Sequence, residues 1–438
     1  MLQEPTEDVG RRMHDLIRTL FPLPRSLTGD GVRATLDVLR RRLPLTVHEV
    51  QTGSPALDWT VPEEWRVRAA RVLRPDGSTL VDWADSPLHL MGYSVPFRGR
   101  LPRAELLEHL HSLPDRPTLT PYRTSYYAPR WAFCLPHERV LDLPEGDYDV
   151  IVDTELVQGS LTYGELVLPG EEAGEVLVSA HVCHPAQAND NLSGIAVAAA
   201  LAERLLAGPR RRWTYRFLFA PGTMGALTWL QAHRTDVGRI RAGLVLTGLG
   251  DASPPSYKES RRGDATIDRA VTHVLRHRAP EGRVLPFTPY GYDERQYCSP
   301  GFDLPVGRLG RGVHGEYPEY HTSADDLGFV SPGQLGESLA LLAEVVDVLE
   351  RDRTYRSTAP YGEPQLGRRG LYRSTGATVI GKADLEMALL WVLNLADGRH
   401  SLLAMAERAG LPFGQLAEAA ARLVEAGLLV EQQPGKSG

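Results

Sequence analysis

Residues 175–194 read EVLVSAHVCHPAQANDNLSG, and this stretch decides the fold. Its first part, residues 176–180, is a short apolar run that predicts a buried strand. The run ends at His181, and Asp190 follows in a polar loop before apolar residues recur with a helical period. Imidazole and carboxylate groups at the carboxyl end of a buried strand are suited to binding zinc. The stretch therefore predicts a strand, a ligand-bearing loop and a helix, in that order.

The composition limits the classes of protein to which the chain can belong. Of its 438 residues 42% are apolar and 24% charged, which is typical of a globular protein of about three domains. The formal net charge of −7 gives no reason to expect a polyanion as partner. No apolar run is long enough to span a membrane, and the amino terminus lacks a signal pattern. Three cysteines do not make a disulfide framework, so the sequence predicts a cytoplasmic protein.

From residue 174 onward, apolar runs and helical periods alternate. This alternation predicts an α/β fold with a mainly parallel sheet covered by helices on both faces. The predicted strands are residues 175–180, 213–220, 242–249 and 304–309, and the predicted helices are 192–207, 224–233, 264–277 and 331–351. Functional groups in such a sheet gather at the carboxyl ends of the strands, where His181 lies.

Other sequence patterns flank this region. Two amphipathic helices are predicted near the amino terminus, and short apolar runs separated by turn residues then predict a β-rich insertion. Near the carboxyl terminus, three short helices and a strand form the pattern of a winged helix. The third helix, 412–426, carries one arginine and two glutamates, which favours packing or dimerisation over nucleic-acid binding. The predicted domains are 1–58 (N-terminal helices), 59–150 (β-rich insertion), 151–360 (α/β domain) and 361–438 (winged-helix-like domain).

Four motifs carry a resemblance to a known family. They are SAHVCHPAQANDNLSG (179–194), SYKESRRGD (256–264), GYDERQYCSPGFDLPVG (291–307) and EYPEYHTSADDL (316–327). Together they resemble the bacterial aminopeptidase-like family that is associated with polysaccharide biosynthesis. That family is similar to the zinc exopeptidase and glutaminyl-cyclase superfamily. The resemblance covers nearly the whole chain, and it implies a zinc-exopeptidase-like sheet with a β-rich insertion and a C-terminal winged-helix-like domain.

The resemblance also implies a zinc site. In the superfamily, a histidine at a strand end, an aspartate before the next helix and a histidine in a late loop bind zinc, which corresponds here to His181, Asp190 and His321. His184 and Asp251 are weaker candidates for the ligand shell. The alternative is that His181 and Asp190 only pair with each other and cap the following helix. Cys183, as a lone cysteine, is expected to be a small packed residue.

The sequence departs from the superfamily at residues 216–230, RFLFAPGTMGALTWL. The resemblance places here a glutamate that acts as general base, and the closer family resembles Pro-Glu-Thr-Ile-Gly at this point. This chain has Gly222 followed by Thr223, and glycine has no group that accepts a proton. Glu294 and Asp293 are therefore the candidate catalytic residues, as substitutes for the missing base.

Polar residues near the other motifs are candidates for binding a substrate. Arg295 and Gln296 follow a superfamily loop that reaches the site, while Arg261 and Tyr257 lie in a basic motif suited to a carboxylate or phosphate. A solvated charge cluster is an equally good interpretation of that motif. The expected substrate is a small peptide or an amino-acid-like molecule, and a homo-oligomer is possible. The alternatives to hydrolysis are metal-dependent acyl transfer, cyclisation or ligation, and a catalytically silent ligand-binding protein.

Overall fold

The structure is a computed structural model that describes residues 6–126, 128–371 and 382–432. The chain divides into two compact units. The first comprises Met1–Ala265 and Arg283–Ala340, and the second comprises Thr266–Gly282 and Leu341–Gly438.

Two amphipathic helices open the first unit, as the sequence predicts. In chain order, the elements up to the central sheet are α1 (Thr6–Leu20), α2 (Asp30–Arg40), β1 (Thr46–Gln51), β2 (Pro55–Ala56), β3 (Trp59–Thr60), β4 (Glu64–Leu73), β5 (Thr79–Asp82), β6 (Phe97–Pro102), α3 (Arg103–Leu107), β7 (Leu110–His111), β8 (Phe133–Cys134), α4 (His137–Leu141) and β9 (Asp147–Val157). The apolar face of α1 is buried at Met13, Leu16, Ile17 and Leu20.

The β-rich insertion contains a four-stranded sheet in the order β5-β4-β9-β6. Strand β9 pairs antiparallel with both β4 and β6, and alternate residues along it are buried. This alternation is typical of a sheet that packs on one face and meets solvent on the other. Because β9 ends at Val157, the sheet extends past residue 150, where the sequence places the start of the α/β domain.

The central sheet belongs to the α/β region. The elements that follow β9 are β10 (Ser160–Leu168), β11 (Glu175–His181), α5 (Gly194–Ala207), β12 (Thr214–Ala220), α6 (Met224–Ala232), β13 (Ile240–Leu246), β14 (Pro255–Lys258), α7 (Thr266–Arg278), β15 (Arg283–Leu285), α8 (Glu294–Tyr297), β16 (Val306–Arg311) and α9 (Pro332–Arg351). The sheet has eight strands in the order β1-β10-β12-β11-β13-β16-β14-β15. All four strands predicted from the sequence are present within it.

Strand β11 lies inside this sheet and pairs parallel with β12 and β13. All seven of its residues are buried, which explains why the sequence here is a continuous apolar run without alternation. β13 pairs parallel with β16, whereas β10 pairs antiparallel with β12. The predicted α/β class with a mainly parallel core of strands is confirmed, and β1, β10, β14 and β15 widen the sheet beyond the predicted strands.

The second unit contains the winged-helix pattern. Its C-terminal elements are β17 (Thr354–Ser357), α10 (Lys382–Leu395), β18 (Asp397–Ser401), α11 (Leu402–Ala409), α12 (Phe413–Glu425) and β19 (Leu429–Glu431). β17 pairs antiparallel with both β18 and β19 in a three-stranded sheet. On the exposed face of α12, Arg422 forms an ion pair with Glu418, so its charge is already balanced. The predicted three helices and terminal strand are confirmed, and a further strand, β18, lies between the first two helices.

No helix among the described residues combines the length and the apolar character that a bilayer-spanning segment requires.

A buried ion pair joins helix α2 to the four-stranded sheet and to the central sheet. Arg33 of α2 donates two hydrogen bonds, of 3.0 and 2.7 Å, to the carboxylate of Glu64 in β4. It also contacts Glu49 in β1 at 3.0 Å. Glu64 is only 1% exposed, and the hydrogen bonds from Arg33 lower its pKa to about 2 despite its burial. Without Arg33, the buried carboxylate of Glu64 would keep only the half-exposed Arg66, 3.0 Å away, as a cationic partner.

We therefore expect Arg33→Gln to lower the free energy of unfolding by about 3 kcal/mol at pH 7. Because the Glu64 pKa is lowered on folding, its contribution is complete above the unfolded pKa and is lost as the pH falls toward 2. Urea denaturation from pH 7 to pH 2.5 measures the difference between wild type and variant, which should shrink below about pH 4.5. Arg18→Gln, which breaks an exposed pair with Asp15, is the control and should have little effect. A difference that does not change with pH would contradict this account.

Candidate functional site

The candidate site lies at the carboxyl end of β11. His181 is the last residue of the strand, and His184 follows in the loop. A turn of π-helix, Ala188–Ser193, then carries Asp190 and leads into α5. His321 comes from the loop between β16 and α9. His181 and His321 are 140 residues apart in the chain, yet both lie at this edge of the sheet. Functional groups commonly gather at the carboxyl ends of parallel strands.

One carboxylate and three imidazoles meet at this edge. The Nε2 atom of His181 lies 2.9 Å from one carboxylate oxygen of Asp190. The other oxygen lies 3.1 Å from Nε2 of His321 and 4.0 Å from Nε2 of His184. Potential ligand atoms of His181, His184 and Asp190 all lie within 4.8 Å of one another, and all three residues are buried.

The contact between His181 and Asp190 is better explained by a metal ion bound to both side chains than by a hydrogen bond between them. Although their atoms lie 2.9 Å apart, neither Nε2 of His181 nor Oδ1 of Asp190 has a hydrogen-bond partner among the described residues. Buried polar atoms without partners are rare, because each costs about 1–3 kcal/mol. Two such atoms that converge on one point are expected where both bind a cation. Nitrogen and carboxylate donors in this number suit zinc.

The charge state of the cluster also suits a cation. Burial opposes ionisation of Asp190, but the positive potential of His184 and His181 and the hydrogen bond with His321 hold its pKa well below the usual range. Asp190 is therefore a carboxylate at neutral pH.

Backbone hydrogen bonds hold Asp190 in place. Asp325 accepts the N–H of Asn189 at 2.5 Å and the N–H of Asp190 at 2.9 Å, one on each carboxylate oxygen. The side-chain amide of Asn189 donates to Asp251 at 2.8 Å. Asp251 also accepts the N–H of Ser253 at 2.7 Å, so both of its carboxylate oxygens are engaged. Asp251 thus orients the ligand loop, and the weaker hypothesis that it binds a metal gains no support.

The inserted segment anchors the loop that carries His321. The N–H of Tyr122 donates to the carbonyl of His321 at 2.8 Å, and the N–H of Ser323 donates to the carbonyl of Thr120 at the same distance. His321 itself has a φ of 53°, in the left-handed region that non-glycine residues rarely adopt. Such strain is common at functional positions, where surrounding contacts impose it.

His184 is oriented by its neighbour Cys183. The thiol sulfur lies 3.3 Å from Nδ1 of His184. With the proton on Nδ1 and directed at sulfur, the lone pair on Nε2 faces the cluster, which is the usual arrangement around a metal ligand. Burial raises the pKa of the Cys183 thiol to about 12, so the thiol is protonated at neutral pH. The sequence ranked His184 below His321, whereas the structure places it within the tightest group of donors.

Gly222 follows the end of β12, and the ring of Tyr292 fills the space beside it. A Cβ atom built on Gly222 would lie 2.3 Å from both the hydroxyl oxygen and a ring carbon of Tyr292. The same ring packs on His181 with centroids 3.9 Å apart, and its hydroxyl lies 3.6 Å from the sulfur of Cys183. An aromatic side chain thus occupies the volume that a longer residue at position 222 would need.

Glu294, a predicted catalytic residue, is fully buried in an ion-pair network. Its carboxylate lies 2.9 Å from Nζ of Lys258 and 3.6 Å from Arg308, and it accepts the N–H of Tyr292 at 3.0 Å. Burial raises its pKa, but these two cations outweigh burial and the net pKa is lowered. A carboxylate held by two cations is a weak proton acceptor, so this geometry favours a role in positioning Tyr292.

Asp293, the other predicted catalytic residue, has the opposite character. Burial and the adjacent Glu294 carboxylate raise the pKa of Asp293 well above its usual range. Its Oδ1 atom has no hydrogen-bond partner among the described residues. The role of Asp293 in proton transfer stays a prediction.

The four predicted substrate-binding residues differ in their surroundings. Tyr257 is fully buried in β14 against Gly307, which is a packing position. Arg261 is exposed and forms an ion pair with Asp303 at 2.8 Å, the solvated arrangement that the sequence left as an alternative. Arg295 and Gln296 belong to α8 beside the site and are half-buried, and Nε of Arg295 has no hydrogen-bond partner among the described residues.

Two further aromatic residues, His314 and Tyr122, complete the surroundings of the site. The ring of His314 contacts Tyr292 and Tyr320, with centroids 5.7 and 5.3 Å apart, and burial lowers the His314 pKa to about 4. Tyr122 contacts the rings of both His184 and His321 at about 5 Å. His314 lies in the motif VHGEYPEYH, which ends at His321. Its closeness in sequence to that predicted ligand was the signal that could have identified it.

Known proteins resemble this chain over nearly its full length. A relative from Clostridium acetobutylicum, named for polysaccharide biosynthesis and for an aminopeptidase-like domain, is 42% identical over 424 residues, which are 97% of each chain. A crystal structure from Clostridium acetobutylicum, named as a peptidase, has a TM-score of 0.92 at 41% identity and covers 98% of this chain and 97% of its own.

More distant structures share the fold. BSAP, a zinc aminopeptidase from Bacillus subtilis, has a TM-score of 0.56 at 12% identity and covers 77% of this chain and 94% of its own. A family model described as a winged helix-turn-helix matches residues 353–431, and one described as a domain of unknown function, DUF4910, matches residues 14–352. The chain therefore belongs to the DUF4910 family, with the aminopeptidase-like fold that the sequence motifs implied and a winged helix at its C-terminal end.

Proposed function

We propose that this protein is a zinc-dependent enzyme of the aminopeptidase type that acts on a small peptide or amide. The observation that carries the proposal is the convergence of Nε2 of His181 and Oδ1 of Asp190, two buried atoms 2.9 Å apart without hydrogen-bond partners among the described residues. The zinc aminopeptidase of the same fold supports the choice of metal.

In this proposal His181, His184 and Asp190 hold the ion. Three protein ligands are the usual number in catalytic zinc sites, because a fourth position must stay open. His321 stands beside Asp190 with 31% of its side chain exposed, where it can add a fourth ligand or contact the substrate. A bound zinc ion would supply Lewis acidity toward a carbonyl group and would lower the pKa of a water molecule.

The residue at position 222 changes how a water molecule could be activated in this site. Gly222 provides no proton acceptor, and the loss of a general base typically reduces a rate by about 10²–10⁴-fold. The Tyr292 ring occupies the adjacent space and excludes water from it. Its hydroxyl group lies 3.6 Å from the sulfur of Cys183, so in this proposal Tyr292 acts by filling the space beside Gly222.

A second candidate function is acyl transfer or cyclisation at the same centre. The observation that favours it is that Gly222 stands where the family resemblance places a glutamate, and that the Tyr292 ring fills the space beside it. Hydrolysis is suppressed when the residue that activates water is absent. The relative named for polysaccharide biosynthesis is consistent with a synthetic role.

Metal content tests the ligand set. We expect wild-type protein to retain about one zinc ion per chain after dialysis, and His181→Ala to retain less than about a tenth of that amount, because three donors are needed to hold the ion. Mass spectrometry of the metal provides the measurement. His400→Ala, which removes an imidazole paired with Asp397 in the winged helix, is the matched control and should keep its zinc. Equal zinc in wild type and His181→Ala would contradict the proposal.

Restoring the glutamate tests the effect of position 222. Gly222→Glu alone should not raise hydrolysis of aminoacyl amides, because the Tyr292 ring lies 2.3 Å from the new Cβ position. The double variant Gly222→Glu/Tyr292→Ala should raise kcat/KM by about 10²–10⁴-fold over Tyr292→Ala alone.

The control for this experiment is Gly222→Gln/Tyr292→Ala, which has the same shape but no carboxylate and should show no gain. A glutamine variant as active as the glutamate variant would refute a base at this position. Wild-type hydrolysis that exceeds that of the double variant would show that another residue already serves as base.

A further inference from the structure

Arg308 of β16 is a buried arginine whose guanidinium group has unused hydrogen-bond donors. Its side chain is 7% exposed, and Nη1 lies 3.6 Å from the carboxylate of Glu294, which is too far for a hydrogen bond. Within the described chain the guanidinium nitrogens make no hydrogen bond, yet none of them is fully enclosed. They therefore keep accessible surface. A buried cation with unused donors is costly unless a ligand binds to it.

The charges next to Arg308 leave it without a counterion of its own. Lys258 donates to the same Glu294 carboxylate at 2.9 Å and to the carbonyl of Tyr290 at 2.6 Å, so Glu294 is already neutralised by a direct hydrogen bond. This network of two cations and one carboxylate therefore has an excess positive charge. Burial lowers the pKa of Arg308, whereas Glu294 and Asp190 oppose that effect, so the guanidinium group interacts electrostatically with the candidate ligand cluster.

A small cavity beside Arg308 lies at the carboxyl ends of β13 and β16. Thr247 and Gly248, which follow β13, line it together with Arg308, His314 and Tyr317. Its volume of about 10 Å³ is close to the space that one water molecule needs. One oxygen atom of a bound group fits there, and the remainder of that group must lie outside the cavity.

Aromatic residues connect this cavity to the candidate metal ligands. The rings of His314 and Tyr317 lie 5.3 and 5.5 Å from that of Tyr320, and Tyr320 stacks on His321 with centroids 3.9 Å apart. Within the described chain, the ring nitrogens of His314 and the hydroxyl of Tyr317 make no hydrogen bond and are not fully enclosed. Unused polar groups from three residues thus surround one cavity beside the candidate metal site.

We propose that Arg308 binds a carboxylate of the substrate, with His314 and Tyr317 as additional polar contacts. This inference rests on the proposed function, and it narrows the substrate to a small peptide or amide with a free carboxylate. A guanidinium group with unused donors suits a planar carboxylate, and the excess positive charge favours a singly charged anion over a phosphate. Arg261, which the sequence suggested for this role, is exposed and already paired with Asp303.

Calorimetric titration of the full-length protein with alanylalanine and with alanylalanine amide tests the proposal. The two ligands differ only in the carboxylate, so the ratio of their Kd values measures its recognition. We expect wild type to bind the acid at least about tenfold more tightly than the amide, because the amide loses a charge-assisted hydrogen bond. Arg308→Met should bring the ratio close to one. Lys258 still balances Glu294 in this variant, so the network keeps no unpaired charge.

Two control variants separate this site from other cationic sites. Arg261→Met removes an exposed arginine and should keep the wild-type ratio. His181→Ala, which should lose zinc, is expected to keep the ratio as well, because the carboxylate contacts Arg308 and not the metal. A wild-type ratio close to one, an unchanged ratio in Arg308→Met, or a ratio lost in His181→Ala would overturn the proposal. Since the ratio requires neither zinc nor turnover, this result is distinguishable from a failure of the zinc proposal, which metal content measures.

A second pair of variants covers the case in which Arg308→Met does not fold. His314 lines the same cavity and is half-buried. His314→Asp places a carboxylate beside Arg308 and should abolish the preference for the acid, whereas His314→Asn has nearly the same shape and should retain it. An equal preference in the Asp and Asn variants would contradict a role for Arg308 in binding the carboxylate.

Discussion

Asp190 is a buried carboxylate with three imidazole nitrogens within 4.0 Å. The need to stabilise its negative charge accounts for the way several segments of the first unit meet around it. A buried negative charge is stable only when hydrogen bonds or cations compensate it. The protein supplies part of this compensation through His321, while His181 contributes an atom that is close but unbonded. A cation between these groups would complete it.

Several parts of the first unit converge on that carboxylate. The central sheet delivers His181 at a strand end, and the loop before α9 delivers both His321 and Asp325. The inserted segment fixes this loop through Thr120 and Tyr122. The N-terminal region contributes Arg25, which holds the carbonyl of His184. The insertion and the N-terminal region are therefore part of the site's construction.

The sequence predicted the elements around β11 because a continuous apolar run followed by a helical period leaves few alternatives. It also brought His181, Asp190 and His321 together through family motifs. The edge strand β1 was missed because its residues are exposed or half-buried, so it has no apolar run to recognise.

Other features depend on contacts between residues far apart in the chain. Tyr292 fills the space beside Gly222 from 70 residues away, and no local pattern signals this. Arg25 has the appearance of an ordinary surface arginine in the sequence, because its burial without a counterion exists only in the folded chain. The two cations beside Glu294 likewise have no local sequence signal, since Lys258 and Arg308 approach it only through the sheet and its loops.

The central claim is that histidine and aspartate side chains at the end of β11 bind one zinc ion. X-ray absorption at the zinc edge of zinc-loaded protein tests this claim most directly, because it reports the ligand atoms and their distances. The account predicts a shell of nitrogen and oxygen atoms at about 2.0–2.1 Å, with two or three imidazole ligands and no sulfur. A sulfur shell at about 2.3 Å, which would require Cys183 as a thiolate, or a zinc ion surrounded only by water, would contradict it.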